Sequence, residues 1–326
     1  MKRLATFALA FLGILAVVAS TRAQDYPGRT VTIVVPFPAG GPTDELARLI
    51  GNGLANKFKQ TFIVQNISGG GANIGSNHVA HAAPDGYTLL LHNLAISANA
   101  TLYKGQDLGF DTEKDFRPVM FLNRNPLLVA GRKSLEPNNL TELLAWMKTH
   151  RAKVAIPGYG TTAHLATVLF AKEAKLDIDL IPYRGGAPVV ADLLGDHVDL
   201  FFGTPQQLAP QILAGKLKAY GFTTTEKSAQ LPSADSFAKM FGPKLEIHYW
   251  QALFAPSATP DAVVDKLNAA LQEVVDDSAI QKIWAGEGVS AFPREERSAE
   301  AGRAIMKSEI ARWGQVIRDN DIHLEK

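Results

Sequence analysis

Two turns rich in glycine and threonine carry the clearest chemical signal in this sequence of 326 residues. The first, at residues 34–44, reads VVPFPAGGPTD, and the second, at residues 156–164, reads IPGYGTTAH. Each follows an apolar run and opens a helical stretch, whose first N–H groups have no partner within the helix. These groups and the helix dipole attract anions, glycine permits close approach, and threonine adds a hydroxyl donor. Two such turns predict two lobes that hold one anionic ligand.

Residues suited to catalysis or metal binding are present, but their sets are incomplete. Asp44 and His164, one in each turn, make a hydrolase or an isomerase the enzymatic alternative, although Asp44 also suits helix capping. His78 and His81 lie one helical turn apart without a cysteine pair or a spaced carboxylate to complete a metal site. The sequence therefore predicts no metal, no cofactor and no catalysis.

Strand-like and helical runs alternate along the chain, and they are the elements that must position both turns. The first series alternates strand and helix over residues 31–35, 43–58, 62–65, 69–82 and 87–92. A second series begins near residue 127 and places the second turn after a strand at residues 154–156. This alternation predicts an α/β fold in which each lobe is a doubly wound, mostly parallel sheet flanked by helices.

The connections between the two series indicate how the lobes are joined. No glycine- or serine-rich linker and no repeat separates them, so we expect direct crossovers that permit hinge closure. We predict that residues 24–125 plus 224–326 form lobe 1 and that residues 126–223 form lobe 2.

The N-terminus and the composition narrow the class of protein. Lys2 and Arg3 precede an uncharged stretch at residues 4–18, and small residues follow, which is the pattern of a secretory signal peptide. We predict that residues 1–23 are removed, with cleavage after Ala23. The chain has no cysteine, so neither disulfides nor a lipid-modified cysteine is expected. Lys plus Arg number 33 and Asp plus Glu 32, a balance that argues against a nucleic-acid partner.

A series of short motifs resembles the exported receptors of tripartite tricarboxylate transporters, known as the Bug family. The resemblance covers essentially the whole chain after the predicted signal peptide, and the order and spacing of the motifs make it specific. The motifs lie at residues 26–27, 34–44, 73–75, 83–90, 114–119, 159–164, 182–185, 192–195, 198–200, 214–217 and 253–256.

This resemblance implies a two-lobed periplasmic binding protein of type II-like architecture, which closes on a small carboxylate and delivers it to a membrane permease. Residues 37–44 would supply one jaw and residues 160–164 the other, mainly through backbone groups and ordered water. With the cleft wall included, the expected ligand-binding residues are Phe37, Ala39, Gly40, Thr43, Asp44, His92, Asn93, Ser97, Gly160, Thr161, Thr162, His164, Tyr183, Arg184, Gly203, Thr204 and Trp250.

Departures from the family pattern bear on the ligand. Residues 202–205 lack the acidic or amide residue that members often have after this strand, which argues against a ligand ammonium group. His92 stands where a small residue is usual and offers a donor to a second carboxylate, as does Arg184. Flat apolar walls favour a ring, and the candidate aromatic residues are Phe37, Tyr159, Tyr183, Phe202 and Trp250.

We therefore predict a dicarboxylate ligand, either a benzene-dicarboxylate such as terephthalate or an aliphatic C4–C6 diacid. The expected partners are this acid and the permease subunits of a tripartite tricarboxylate-type transporter. The receptor is expected to be a monomer in the periplasm. Two alternatives stay open at this point: the hydrolase or isomerase that would use Asp44 and His164, and a protein that presents its ligand to a membrane sensor.

Overall fold

The computed structural model describes residues 26–104, 108–225, 231–232 and 234–324. The predicted signal peptide at residues 1–23 lies outside these described residues. The described chain forms two six-stranded sheets flanked by helices, which confirms the predicted two-lobed α/β fold. Among these residues no helix combines the length and the apolar character needed to span a bilayer.

The strands are numbered in chain order and divide between the two sheets. The strands of the first sheet are β1 (Val31–Val35), β2 (Phe62–Asn66), β3 (Thr88–Asn93), β4 (Phe116–Pro126), β11 (His248–Pro256) and β12 (Ser290–Ala291). Those of the second are β5 (Leu128–Arg132), β6 (Ala152–Ile156), β7 (Ile178–Pro182), β8 (Leu200–Gly203), β9 (Leu217–Phe222) and β10 (Asp235–Ser236). The spatial orders are β12-β4-β11-β3-β1-β2 and β10-β9-β5-β8-β6-β7.

The helices connect these strands. They are α1 (Pro42–Phe58), α2 (Asn73–Ala80), α3 (Ala95–Leu102), α4 (Leu140–Met147), α5 (Thr162–Ala174), α6 (Gly186–Leu194), α7 (Pro205–Leu213), α8 (Phe237–Phe241), α9 (Asp261–Val275), α10 (Ser278–Glu287) and α11 (Ala299–Asp319). In α1 the buried residues Leu46, Ile50 and Leu54 recur at four-residue spacing, so this helix presents one apolar stripe to the first sheet.

Each sheet is mixed rather than mostly parallel. β1 runs parallel to β2 and β3, and β6 runs parallel to β7 and β8, as the alternation predicts. However, β11 is antiparallel to β3 and β4, and β5 is antiparallel to β8 and β9. These two strands enter their sheets from the other lobe, so each must run against the neighbouring strands that end at the cleft.

The crossings between the sheets differ in part from the predicted lobe boundaries. β4 leads into β5 through the single residue Leu127, close to the predicted first crossing. The return crossing comes later than residue 224, because β10 pairs with β9 in the second sheet. β10 therefore extends the second sheet, and Phe237 after it packs against Phe170 and Phe202 of the second lobe. The predicted assignment of residue 224 onward to lobe 1 needs this correction.

Aromatic side chains fill the cores of both lobes. The ring of Phe121 lies 4.8 Å from that of Trp250 and 6.2 Å from that of Phe254. In the second lobe the ring of Phe170 lies 5.4 Å from that of Phe202. Full burial of such a side chain stabilises a fold by about 1.5–3 kcal/mol. Trp250 and Phe202, expected at the cleft, thus both have structural roles.

Candidate functional site

A cavity of about 160 Å³ lies between the two lobes. Its lining comes mainly from segments at or after the carboxyl ends of β1, β3, β6, β7 and β8, so both sheets contribute to one space. The lining residues are Phe37, Pro38, Ala39, Gly41, Pro42, Thr43, Asn93, Leu127, Pro157, Thr161, Thr162, Ala163, Arg184, Gly185, Gly186, Ala187, Pro188, Phe201, Phe202, Gly203, Thr204, Gln207 and Tyr249.

The first-lobe wall is the loop between β1 and α1. Gly40 has a φ of +77°, a backbone conformation that suits glycine, and it turns the chain towards the helix. Pro42 is the first residue of α1, where a missing N–H costs no intrahelical bond. The first N–H groups of this helix have no intrahelical partner, and the helix begins at the cavity, which Pro42 and Thr43 line.

Asp44 holds this loop from beneath. Its two oxygens accept four hydrogen bonds of 3.0 Å each, from the Gly40 N–H, the Asn66 amide and two nitrogens of Arg48. Burial raises the pKa of Asp44, but the hydrogen bonds from Arg48, Gly40 and Asn66 outweigh burial and hold the pKa below its usual value. Asp44 is therefore a charged, fully engaged carboxylate that positions the loop rather than lining the cavity.

A buried polar network forms the floor on the first-lobe side. The hydroxyls of Thr43 and Tyr249 lie 3.0 Å apart, and the Asn93 amide donates to Tyr249 at 3.2 Å. Asn93 in turn accepts the Ala95 N–H at 3.0 Å, which fixes the amide orientation. Burial raises the pKa of Tyr249 to about 12, so its phenol stays neutral at physiological pH. The network presents neutral hydroxyl and amide groups to a ligand.

The second-lobe wall starts at the N-terminus of α5. Thr161 caps the helix by accepting the His164 N–H at 3.3 Å, and it donates to the Gly158 carbonyl at 2.7 Å. The next residue, Thr162, is 3% exposed and lines the cavity. Its hydroxyl has no hydrogen-bond partner among the described residues. A buried hydroxyl without a partner at a cavity wall is well placed to bind a ligand oxygen.

Two further helices begin at the same cavity. Gly185 caps α6 with a φ of +108°, which favours glycine, and its neighbour Gly186 opens the helix. Thr204 caps α7, and its N–H donates to the Gln207 side chain at 3.3 Å. Arg184, directly before this α6 cap, is the one charged side chain in the described lining.

The N-termini of four helices, α1, α5, α6 and α7, thus converge on one cavity. The turns at residues 34–44 and 156–164 predict two of these; the other two are additional. Each helix N-terminus carries roughly half a positive charge and unpaired N–H groups. With Arg184 added and no acidic side chain in the described lining, the site attracts anions from every side.

The structure brings together nine of the seventeen expected site residues at the cavity. These are Phe37, Ala39, Thr43, Asn93, Thr161, Thr162, Arg184, Gly203 and Thr204. The other eight do not line it, and these are Gly40, Asp44, His92, Ser97, Gly160, His164, Tyr183 and Trp250.

The two expected histidines lie behind the cavity wall. His92 is buried beneath Phe37, with their rings 5.3 Å apart in edge-to-face contact. Burial lowers the pKa of His92 to about 3, so the imidazole is neutral and offers no charge to a second carboxylate. His164 accepts the Gly160 N–H at 3.3 Å and packs against the ring of Tyr159, which supports the second turn.

The remaining residues outside the lining have other partners. Ser97 is fully buried and donates to the sulfur of Met306 at 3.4 Å. The Trp250 indole donates to Glu309 at 2.8 Å, and the Tyr183 hydroxyl donates to Asp192 at 2.6 Å. The polar atoms of Ser97, Tyr183 and Trp250 are therefore engaged within the protein, and these residues are not part of the lining of this cavity.

Several lining residues were not expected from the sequence. Gly185 and Gly186 stand at the start of an apolar helix. Gln207 belongs to a capped helix start together with Pro205 and with Thr204, which was itself expected at the site. These local signals mark the N-termini of α6 and α7, but no local signal shows that both helices begin at the same cavity as α1 and α5. Tyr249 carries no such signal, because only the pairing of β11 with β3 places it beside Asn93.

The described residues contain no group of three or more histidine, aspartate or glutamate side chains that could hold a metal ion. Two α/β lobes with an anion-attracting cavity between them define a two-lobed solute-binding protein. The model for the tripartite tricarboxylate transporter family receptor matches residues 46–322, and the chain belongs to this family. The chain is therefore a receptor rather than an enzyme, and the resemblance inferred from the motifs is confirmed.

Individual relatives are similar to this chain over nearly its full length. The protein BugT of Bordetella pertussis is 29% identical over 317 residues, covering 97% of this chain and 96% of BugT. MatC from Rhodopseudomonas palustris, solved with bound malate, has 33% identity and a TM-score of 0.84, covering 90% of this chain and 100% of MatC. Another R. palustris protein, solved with adipate, has 30% identity and a TM-score of 0.85, covering 92% of this chain and 99% of its own.

Proposed function

We propose that this receptor captures a small organic dicarboxylate in the periplasm and delivers it to a tripartite tricarboxylate-type transporter. The single observation that carries the proposal is the convergence of four helix N-termini on the cavity between the lobes. The unpaired hydroxyl of Thr162 and the guanidinium of Arg184 lie on the same lining. These groups are donors and positive charges, which is what a carboxylate requires.

The distribution of charge favours two carboxylates over one carboxylate and one amine. Among the described lining residues there is no aspartate or glutamate to pair with a ligand ammonium group. One carboxylate would lie at the helix N-termini near Thr162, and the second would reach Arg184 at the exposed side. This arrangement makes an amino acid a poor ligand.

The size and walls of the cavity limit the ligand to a short acid. A volume of about 160 Å³ is close to a cavity of roughly 150 Å³ that is known to hold benzene. Phe37, Phe201 and Phe202 supply apolar surface that suits a single ring or a short aliphatic chain. The malate and adipate in the two R. palustris structures support the C4–C6 range. We therefore rank benzene-dicarboxylate beside the aliphatic diacids.

Calorimetric titration tests the proposal with terephthalate, adipate and succinate, and with benzoate and butyrate as monoacid controls. We expect at least one diacid to bind clearly more tightly than its monoacid counterpart. At a hundred times its dissociation constant, that ligand should stabilise the fold by about 2.7 kcal/mol. No binding of any acid would refute the proposal. Binding of aliphatic diacids without binding of terephthalate would exclude an aromatic ligand.

Two threonines on one helix provide a matched pair of variants. Thr162 and Thr167 are both buried on α5 with an unpartnered hydroxyl, but only Thr162 lines the cavity. Thr162→Val should weaken diacid binding by roughly tenfold or more, because a hydrogen bond to a charged group is worth about 1.5–3 kcal/mol. Thr167→Val should leave affinity unchanged. Equal losses of diacid affinity in the two variants would show that the Thr162 hydroxyl does not contact the ligand.

The transport role needs its own measurement. Deleting the gene for this chain should abolish uptake of the acid that binds, measured with labelled ligand in whole cells. Retained uptake together with a lost transcriptional response would instead support presentation of the ligand to a membrane sensor.

A further inference from the structure

A second and larger cavity, of about 440 Å³, lies between the lobes on another side of the same helices. Its walls are α1 and α10 on the first lobe and α7 on the second. Pro42 and Pro205, the first residues of α1 and α7, contribute to it. Proline has no N–H, so these two positions give this cavity no backbone donor. Its chemistry therefore differs from that of the carboxylate cavity.

The floor of this second cavity is formed by buried amides without hydrogen-bond partners. Gln251 on β11 and Asn123 on β4 are paired across the strands, and each is 1% exposed. Both polar atoms of the Gln251 amide, the Asn123 oxygen and the oxygen of Gln206 on α7 have no partner among the described residues. Three of these four atoms are acceptors. Buried polar groups are normally paired, so this floor calls for a ligand rich in donors.

Two carboxylates face the same cavity. Glu45 lies in the first turn of α1, and Glu287 is the last residue of α10. Burial raises the pKa of Glu45, and the nearby Asp44 charge raises it further. Burial also raises the pKa of Glu287, and the Glu45 charge adds to this shift. A carboxylate at a helix C-terminus opposes the helix dipole. The two carboxylates repel each other, so a cation placed between them would relieve this repulsion.

The remaining walls are apolar. Leu46, Ala209 and Trp284 line the interior, and the exposed side chains of Leu213 and Ile283 lie at the rim. These apolar side chains have no atoms that could coordinate a metal ion. No set of three or more metal-ligating side chains occurs among the described residues either. An aliphatic chain would bury apolar surface against them. The walls suit an organic cation better than a metal.

We propose that this cavity is a second ligand site, which binds a small aliphatic amine with its ammonium group between Glu45 and Glu287. An ammonium group has three donors and no acceptor, so it suits a site that offers two carboxylates and the unpaired oxygens of Asn123, Gln206 and Gln251, among which its donors are shared. Gln206 belongs to the second lobe and the other groups to the first, so the site is complete only when α7 lies against α1 and α10.

Calorimetric titration with putrescine tests the site in the absence of any carboxylic acid, so the result does not depend on the proposed transport function. We expect saturable binding to the unaltered chain. Glu45→Gln and Glu287→Gln should each weaken it by roughly tenfold or more, because each removes a charge from the ammonium group. Glu295→Gln is the matched control, since Glu295 is exposed and lies outside the cavity. Its affinity should equal that of the unaltered chain.

A second pair of variants tests whether the site bridges the lobes. Gln206→Leu should weaken putrescine binding, whereas Gln211→Leu on the same helix should not, because Gln211 does not line the cavity. Thermal unfolding of every variant confirms that the fold is retained. Absence of saturable binding at millimolar putrescine would overturn the proposal. Equal affinity in the Glu45 and Glu295 variants, or binding of magnesium or calcium ions in place of putrescine, would overturn it as well.

Discussion

Replacing Asp44 by asparagine tests how the first-lobe loop is held. The asparagine has the same shape, but one carboxylate oxygen becomes an NH₂ donor. All four groups around Asp44 are donors, and each oxygen accepts two of them. Whichever way the new amide is turned, its NH₂ faces two donors. Asp44→Asn must therefore break two of the four hydrogen bonds.

The magnitude follows from which bonds are lost. One amide orientation leaves the Gly40 N–H unpaired, and the other leaves the Asn66 amide without this acceptor. An unsatisfied buried donor costs about 1–3 kcal/mol. Arg48 is largely solvent-exposed, so its bonds are screened and we add nothing for them. We expect the free energy of unfolding to fall by about 1–3 kcal/mol, and diacid binding to weaken because the loop loses its support.

Urea unfolding followed by tryptophan fluorescence measures this loss, with calorimetry for the affinity. Glu273→Gln is the control, because it breaks only an exposed ion pair with Lys57, expected to contribute about 0–1 kcal/mol. The pKa of Asp44 is lowered in the folded state, so its contribution is present above the unfolded value of about 3.9 and is lost as pH falls through the folded value. An unfolding midpoint unchanged by Asp44→Asn would refute the four-donor arrangement.

Three further predictions concern charge, lobe contact and protonation. Arg184→Gln should weaken diacids by roughly tenfold while leaving monoacids nearly unchanged in calorimetry; an equal loss for both would contradict the second-carboxylate role. Gly160→Ala should weaken ligand binding, because its Cβ would lie 2.9 Å from the Asn99 side-chain oxygen across the cleft. Gly215→Ala is the control: its φ is similarly positive, but no atom lies within 4 Å of the added Cβ, so ligand affinity should not change. His92 has its pKa lowered to about 3, so the unfolding free energy should fall as pH drops from about 6.5 towards that value, and His92→Gln should flatten this slope.

The local elements around both turns could be predicted because their signals are local. The strand at residues 31–35 has the predicted bounds, and the helix predicted at residues 43–58 and the strand predicted at residues 62–65 each differ by one residue. In contrast, β4 gave no strand signal, because its sequence FRPVMFLNRNP mixes arginine, proline and asparagine with apolar residues. Arg117 is accommodated in this strand because its guanidinium donates to the Thr259 carbonyl at 2.6 Å and to Asp261 at 2.7 Å. The start of α7 is marked by Thr204 and Pro205, but the internal Pro210 interrupts the helical pattern of the sequence after it.

The sequence by itself determined the class of protein and the anion-binding character of two turns, because glycine, threonine and proline act on the backbone at their own positions. Only the tertiary structure decided which side chains reach the cavity. Three residues of the expected segments do not line the cavity because each has another partner. Asp44 is bound by Arg48, His92 lies beneath Phe37, and Ser97 donates to Met306. The convergence of α6 and α7 on the same space depends on the pairing of β6 with β7 and β8. Such pairing joins residues distant in sequence, and no local pattern encodes it.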